Sequence, residues 1–411
     1  MLQDRATDRG SGPRAHSRAV AMTVGMLLLS VLIFLIVRAT IPHRVLGDLR
    51  VYRADGMALR RGQDVYGPLQ GVHGLATYPT FAAVLFVVLT PVPIEPLQWL
   101  SIVGNLLLLG YVCYASCRLV GVHGRRGAVV ACAIAAVGLW SEPVFTTLAY
   151  GQVNLLLLSL VLWDFTRPET SPLRGIGTGL ATALKVTPGI FVVYLVITRR
   201  FRAAGTALGT FAAATGLAAI IDAHDTWTYW TKHVFDLHRV GRLENAVNQT
   251  VRGILVRADH SRHTPAPQLT LVLVVLIAGL VCAAAAYREL GDEWGLPACA
   301  VTGLLSSPIA WSHHWVWCIP IATLLWFRAR VWLIPTVAIF CSFAVWAVPH
   351  KHSVELHFTP LQLALSSWYV LFGLGFLALT ASRVLSRAHP RGDRRTSCEH
   401  VASDVRAGAA G

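Results

Sequence analysis

The chain has 411 residues, of which 55% are hydrophobic and only 14% are charged, and its formal net charge is +14. A soluble domain usually has about a quarter of its residues charged, so this composition excludes an ordinary soluble enzyme. The positive charge does not indicate a nucleic-acid partner, because the arginines lie in tails and loops beside apolar runs rather than among exposed aromatic residues. The composition predicts an integral membrane protein.

Apolar runs recur along almost the whole chain, and a helix needs roughly 17–25 such residues to cross a bilayer. They predict an all-α polytopic membrane protein with about 12 transmembrane helices. The predicted runs are 20–38, 78–94, 97–117, 127–148, 150–165, 175–198, 203–221, 269–287, 295–310, 313–327, 330–348 and 360–382.

Basic residues at the two ends of the chain predict its orientation. Arginines precede the first run and follow the last one, and basic residues beside membrane helices favour the cytoplasm. We therefore expect a cytoplasmic tail over 1–19 and a transmembrane domain over 20–382, in the cytoplasmic membrane. Exterior loops are expected at 39–77 and 222–268, and a disordered cytoplasmic tail at 383–411.

One group of arginines does not fit a topology in which every apolar run crosses the membrane. Arg118, Arg125 and Arg126 would lie outside if every run between 78 and 165 crossed the membrane completely. These arginines would be cytoplasmic if one run entered the membrane and turned back. Such re-entrant segments occur where backbone lines a cavity inside the protein. The two candidates are the run 78–94 and the stretch around Lys185.

Asp48 stands shortly after the first run, in the predicted exterior loop. A carboxylate at this place is suited to take the proton of a hydroxyl acceptor. The alternative is a helix cap or a partner for Arg50 or Arg53, and spacing alone favours this structural interpretation. Asp55 and Asp64 follow in the same loop and are possible substitutes for Asp48 as a base.

Lys185 and the pair His313-His314 interrupt apolar sequence farther along the chain. The lysine either extends to the membrane surface or points into a cavity as a positive charge for a phosphate. Neighbouring helical residues point about 100° apart, so the two histidines do not predict a metal site. One imidazole can face a cavity, whereas the alternative is an interfacial belt with the nearby tryptophans.

Amide side chains form two further clusters. Gln152 and Asn154 lie at a predicted helix start, and Asn248 and Gln249 lie in the second exterior loop with Arg252. Amides suit sugar hydroxyls, and the arginine suits a phosphate. The alternative is that these side chains cap a helix or bind their own backbone.

The order of these motifs along the chain resembles glycosyltransferase family 87. The resemblance covers roughly residues 45–320, and its specificity comes from the ordered set. The motifs are Asp48-Leu49-Arg50-Val51-Tyr52, Gly62-Gln63-Asp64-Val65-Tyr66, Tyr78-Pro79-Thr80-Phe81, Gly151-Gln152-Val153-Asn154, Leu184-Lys185-Val186-Thr187-Pro188, Asn248-Gln249-Thr250, Ser307-Pro308 and Trp311-Ser312-His313-His314.

This resemblance implies a GT-C glycosyltransferase fold and a membrane-embedded mannosyltransferase. The implied donor is a polyprenyl-phosphate-linked mannose, and the implied acceptor is a lipid-anchored mannoside such as a phosphatidylinositol mannoside or lipomannan. The donor would lie in a groove that opens laterally to the membrane lipid. The acceptor would be reached from the exterior face of the membrane.

The implied mechanism is a single inverting displacement. Asp48 matches the acidic residue that follows the first span in this superfamily and is assigned as the general base. The implied phosphate-binding residues are Lys185, one of His313 and His314, and Arg252 behind them. The implied sugar and acceptor contacts are Tyr52, Gln152, Asn154, Asn248 and Gln249. The positive charges around the phosphate make a cofactor and a divalent metal unnecessary, so we expect neither.

Two other classes of function stay open on the sequence. A transporter or flippase for a lipid-linked sugar would use Lys185 and the histidines as a site near the bilayer midplane, and such proteins usually show internal repeats. A scaffold for envelope enzymes would tolerate replacement of Asp48. A transferase would lose sugar transfer with that change.

Overall fold

The computed structural model describes residues 13–40, 46–68, 74–262, 264–350 and 353–388. Most of the two predicted tails lies outside these ranges. Within them the chain is all-helical and has no strand, which confirms the predicted α class. The α-helices of the described residues are α1 (Pro13–Thr40), α2 (Gly47–Arg60), α3 (Thr80–Phe86), α4 (Ile94–Leu119), α5 (Gly124–Gly138), α6 (Glu142–Tyr150), α7 (Asn154–Phe165), α8 (Ile176–Leu184), α9 (Ile190–Ile197), α10 (Phe201–Ile221), α11 (Ala223–Thr231), α12 (Leu237–Val240), α13 (Val251–Ala258), α14 (Ala266–Leu290), α15 (Asp292–Ser306), α16 (Cys318–Arg328), α17 (Leu333–Cys341), α18 (Pro360–Leu365) and α19 (Trp368–Ala388).

Five of the described helices are long and apolar enough to cross a bilayer: α1 over Val20–Thr40, α4, α10, α14 and α19. Helices α5 and α6 make a sixth span if the 77° bend between them lies within one crossing. Shorter apolar helices pack among these spans. The chain is therefore a polytopic membrane protein, while the predicted count of about 12 transmembrane helices is not confirmed.

The run predicted at 78–94 does not cross the membrane, because its apolar helix, Thr80–Leu89, has only 10 residues. Both of its ends contact α2, a helix of only 14 residues. At the start the hydroxyls of Tyr78 and Tyr52 lie 3.0 Å apart, and at the end Arg53 donates to the carbonyl of Thr90 at 3.1 Å. A segment that returns to the same short helix cannot reach the other side of the membrane.

The run predicted at 175–198 does not cross either, because its two ends lie together. Arg174 precedes α8 and Arg200 follows α9, yet both guanidiniums donate to the carboxylate of Asp292, at 3.0 and 2.7 Å. Lys185 ends α8, and a 3-10 turn leads into α9. The two short helices therefore form a hairpin that carries Lys185 at its tip.

Helix α4 shows how far apart the two ends of the molecule are. Its first turn packs on the start of α2 through Leu97 and Leu46. Its last turn carries Arg118, whose guanidinium donates to the carbonyl of Thr166 at 3.1 Å. A helix of 26 residues is about 39 Å long, which exceeds the hydrocarbon thickness of a bilayer. We call the end with α2 the Asp48 face and the end with Arg118 the arginine face.

The base of the Lys185 hairpin belongs to the arginine face. Arg174 donates to the carbonyl of Arg167 at 3.2 Å, one residue from the carbonyl that Arg118 contacts. Arg118 therefore lies on the same side as the arginines of the hairpin.

Candidate active site

Asp48 and Gln152 meet because α6 ends at a glycine. Gly151 has a φ of +68°, a left-handed conformation that favours glycine at the end of a helix. A Cβ at this position would lie 2.8 Å from the Cβ of Leu49, so the missing side chain also lets α2 approach. Gln152 follows directly, and its Nε2 donates to Oδ2 of Asp48 at 2.6 Å.

Spacing favoured Asp48 as a helix cap or as a partner of a neighbouring arginine, and its surroundings differ from this structural interpretation. Its carboxylate makes no capping bond at the start of α2, and Arg53 bonds to the backbone of Thr90 and Val92 instead. Burial raises the pKa of Asp48, against smaller lowering effects of the hydrogen bond from Gln152 and of the nearby lysine charge. A carboxylate with a raised pKa is the stronger base when it is ionised.

A chain of hydrogen bonds connects Asp48 to Lys185. Oε1 of Gln152 accepts from the hydroxyls of Tyr52 and Tyr78, at 2.8 and 3.1 Å. The hydroxyl of Tyr78 in turn accepts from Nζ of Lys185 at 3.3 Å. Four segments thus meet at one place: α2, the segment before α3, the end of α6 and the lysine hairpin.

The histidine pair is held against the same place. Nζ of Lys185 lies 2.9 Å from Nε2 of His314 and 3.4 Å from Oδ1 of Asn154. The amide of Asn154 and the hydroxyl of Thr147 both donate to the carbonyl of His313, at 3.0 and 3.1 Å. Asn154 therefore joins the lysine to the backbone of the histidine segment.

Two cavities meet at the histidine pair. The first, which we call the Lys185 cavity, has a volume of about 70 Å³ and is bordered by Lys185, His314 and Asn154 at its polar end. Its remaining walls are mostly apolar. They include Leu157, Leu158, Val161, Phe191, Leu304 and Trp317.

The second cavity, which we call the Asp48 cavity, has a volume of about 370 Å³, and its walls are part polar and part apolar. Its lining consists of Asp48, Tyr150, Gln152, Asn245, Val247, Trp311, His313, Trp346 and His350. The two neighbouring imidazoles are nearly perpendicular, at an interplanar angle of 85°. Each histidine therefore faces a different cavity, a possibility that the prediction of one cavity-facing imidazole did not include.

The family model of glycosyltransferase family 87 matches residues 76–308, more than half of the chain. The chain belongs to glycosyltransferase family 87. It is accordingly a membrane glycosyltransferase, as the resemblance predicted. The matched range contains Gln152, Asn154 and Lys185, whereas Asp48 and the histidine pair lie outside it.

Curated relatives of this glycosyltransferase come from mycobacteria. A polyprenol-phosphate-mannose-dependent α-(1-2)-phosphatidylinositol mannoside mannosyltransferase of Mycobacterium tuberculosis is 31% identical, over 71% of this chain and 73% of its own length. A protein of the same name from Mycolicibacterium smegmatis is 31% identical, over 74% and 76%. A phosphatidylinositol pentamannoside mannosyltransferase of Mycobacterium tuberculosis is 34% identical, over 70% and 66%. No solved structure matches the chain.

The predicted site residues of the second exterior loop lie away from both cavities of this family 87 enzyme. Oδ1 of Asn248 accepts from the backbone of Ala310 at 3.1 Å, and Nε2 of Gln249 donates to the carbonyls of Ala246 and Ser366, both at 2.6 Å. Both side chains are fully buried. The structure thus gives these amides a role in fastening the loop, which corresponds to the structural alternative.

Arg252 is also separate from the predicted phosphate site. It lies on α13 and donates through Nε to the hydroxyl of Thr264 at 3.2 Å. A different arginine of this helix, Arg257, is fully buried and donates to the carbonyls of Asn245 and Ser366, at 3.0 and 3.1 Å. The arginines of α13 therefore support the loop and do not border either cavity.

The two possible substitutes for Asp48 take other positions in the transferase. Asp55 is 4% exposed, burial raises its pKa to about 8, and its Oδ1 has no hydrogen-bond partner among the described residues. Asp64 accepts from the backbone of Tyr66 at 2.8 Å within its own turn. Neither carboxylate borders the two cavities, so Asp48 is the acidic residue that the geometry selects.

Several residues of the site were missed by the sequence-based predictions. Trp346 and His350 line the Asp48 cavity from a loop near the end of the chain, where no pattern marked them. Glu142 lies completely buried beside this cavity. The sequence could have indicated Glu142, because it lies within a predicted membrane run, where an acidic residue is rare and usually functional.

Proposed function

We propose that this chain transfers mannose from polyprenol-phosphate mannose to a hydroxyl of a phosphatidylinositol mannoside or of lipomannan, on the exterior face of the cytoplasmic membrane. The names of the relatives support this donor, and they support phosphatidylinositol mannosides as the acceptor class. One structural observation carries the proposal. Asp48 and Lys185 border two adjacent cavities and are connected by hydrogen bonds through Gln152 and Tyr78.

The Lys185 cavity suits the donor. Its polar end matches a phosphate, and its apolar walls match the part of a polyprenyl chain next to that phosphate. Lys185 supplies a positive charge where negative charge develops on the leaving phosphate oxygen, and Nε2 of His314, 2.9 Å from Nζ, holds the ammonium in place. Such preorganised groups in a site shielded from water stabilise the transition state strongly.

The Asp48 cavity suits the acceptor. Its carboxylate, amides and imidazoles match sugar hydroxyls, while its tryptophans match the apolar face of a sugar ring. Asp48 takes the proton as the acceptor oxygen forms its bond to the anomeric carbon. The bond from that carbon to the phosphate oxygen breaks, and its electron pair leaves with the phosphate. The acceptor attacks from the Asp48 cavity and the phosphate leaves on the side of the Lys185 cavity. Attack and departure on opposite sides of the anomeric carbon give inversion.

The distribution of basic residues supports the exterior placement of the reaction. Arg118, Arg174 and Arg200 all belong to the arginine face, and basic residues favour the cytoplasm. The Asp48 face then points outward. Both termini are then cytoplasmic, because arginines precede the first span and follow the last one.

The decisive experiment measures transfer of radiolabelled mannose from polyprenol-phosphate mannose to phosphatidylinositol mannosides by purified protein in vesicles. Chelator is present throughout, because we expect no need for a divalent metal. Asp48→Asn abolishes transfer, whereas the matched variant Asp64→Asn, altered in an exposed turn, keeps it. Equal activity of both variants would contradict the assignment of the base. Passage of the donor across the vesicle without transfer would instead support the transporter.

A further inference from the structure

Glu142 opens α6 at the 77° bend between α5 and α6. Its carboxylate has no exposed surface. Oε1 accepts from the hydroxyls of Thr146 and Ser312, at 2.9 and 2.7 Å, and from Nε1 of Trp346 at 2.7 Å. Oε2 accepts from the hydroxyl of Tyr369 at 2.9 Å. All four donors are neutral groups, so the carboxylate is stabilised by hydrogen bonds alone.

One of these donors lines the Asp48 cavity, and a second lies between two residues that line it. Trp346 lines the cavity itself and packs on the ring of His350, with ring centroids 5.2 Å apart. Ser312 stands between Trp311 and His313, which both line the cavity. A single oxygen atom therefore holds two separate parts of this wall, one from each of two chain segments, in a common position.

We propose that Glu142 is a positioning residue for the acceptor sugar. It fixes the indole of Trp346 and the segment of Ser312 so that the cavity wall stands opposite Asp48 before the acceptor arrives. This inference rests on the proposed function, because it takes the Asp48 cavity as the acceptor site. Glu142 does not border the cavity, so it acts through the residues that it holds.

The choice of a carboxylate has a physical reason. One carboxyl oxygen can accept several hydrogen bonds from different directions. This property allows Glu142 to hold two segments that have no strand or long helix to support them.

The first test compares Glu142→Ala with Glu142→Gln. Alanine leaves the buried donors of Ser312 and Trp346 without a partner, so we expect the KM for the mannoside acceptor to rise roughly tenfold. The KM for the donor stays within about twofold, because Lys185 and His314 make no bond to Glu142. Glutamine can still accept at the Oε1 position, and it restores the acceptor KM to within about threefold of the wild-type value.

A second pair of variants separates positioning from general stability. Ser312→Ala removes a donor on the cavity side of the carboxylate, and Tyr369→Phe removes the donor on the other side. We expect Ser312→Ala to raise the acceptor KM about threefold and Tyr369→Phe to change it less than twofold. This pair decides the question even if Glu142→Ala does not fold. Equal effects of the two variants on acceptor KM would overturn the inference.

The readout also distinguishes this inference from the proposed function. Binding of a phosphatidylinositol mannoside is measured without donor, by tryptophan fluorescence of the full chain in nanodiscs. Wild-type protein that binds this lipid but transfers no mannose would refute the proposed reaction, and the positioning role would still show as weaker binding by Glu142→Ala. Active wild-type protein together with an unchanged acceptor KM in Glu142→Ala would refute the positioning role alone.

Discussion

Replacing Gln152 by methionine tests whether the connection between the two cavities contributes to catalysis. Methionine has a similar length and no hydrogen-bonding amide, so the change removes the 2.6 Å bond to Asp48. The hydroxyls of Tyr52 and Tyr78 keep each other as partners at 3.0 Å, and Tyr78 keeps Lys185. The perturbation is therefore concentrated on the carboxylate, and we expect the fold to persist.

The magnitude follows from the type of bond that is lost. A hydrogen bond to a charged group contributes about 1.5–3 kcal/mol. Because 1.4 kcal/mol corresponds to a factor of ten, kcat/KM should fall roughly 10-fold to 100-fold in Gln152→Met. Measurement of mannose transfer at varied acceptor concentration, with the amount of folded protein matched by size-exclusion chromatography, gives this ratio.

The pH profile provides a second and independent readout. The bond from Gln152 lowers the pKa of Asp48, against the dominant raising effect of burial. Its removal raises that pKa further, so a larger share of the base is protonated at a given pH. The acid limb of the rate profile should move to higher pH in Gln152→Met. Transfer within threefold of wild type together with an unmoved acid limb would refute the reasoning.

Three further predictions concern the donor, the stability and the topology. Lys185→Met should lower kcat/KM for the donor by at least about 100-fold, whereas Lys232→Met, at an exposed surface position, should leave it unchanged in the same assay. Asp55→Asn should raise the melting temperature at pH 8 more than at pH 5, because burial raises the folded pKa of Asp55 to about 8. A carboxyl with a raised folded pKa stabilises the fold at low pH and loses this stabilisation as pH rises through that value, so an equal melting-temperature change at both pH values would contradict the assignment. A cysteine at exposed Gln63 should react with a membrane-impermeant maleimide in intact cells and one at exposed Arg202 should not, and the reverse labelling would invert the proposed orientation.

The sequence alone determined the class of the protein and its family. Membrane insertion depends on the summed hydropathy of local segments, so composition and apolar runs were sufficient to predict an all-α polytopic protein. The ordered motifs were sufficient for the resemblance to glycosyltransferase family 87, which the family match confirms. The sequence also predicted Asp48, Gln152, Asn154 and Lys185 as site residues, because polar groups beside apolar sequence are rare, and the structure brings these four side chains together.

Only the tertiary structure decided which apolar runs turn back and which polar groups face a cavity. Hydropathy measures how apolar a segment is, and a hairpin such as α8 and α9 is as apolar as a crossing helix. The amides of Asn248 and Gln249 resemble those of Gln152 and Asn154 in sequence, yet each bonds to a backbone group more than 50 residues away as well as to one nearby. Glu142, Trp346 and His350 meet only after folding. Contacts between distant segments leave no local pattern, so the two cavities could not be predicted from spacing along the chain.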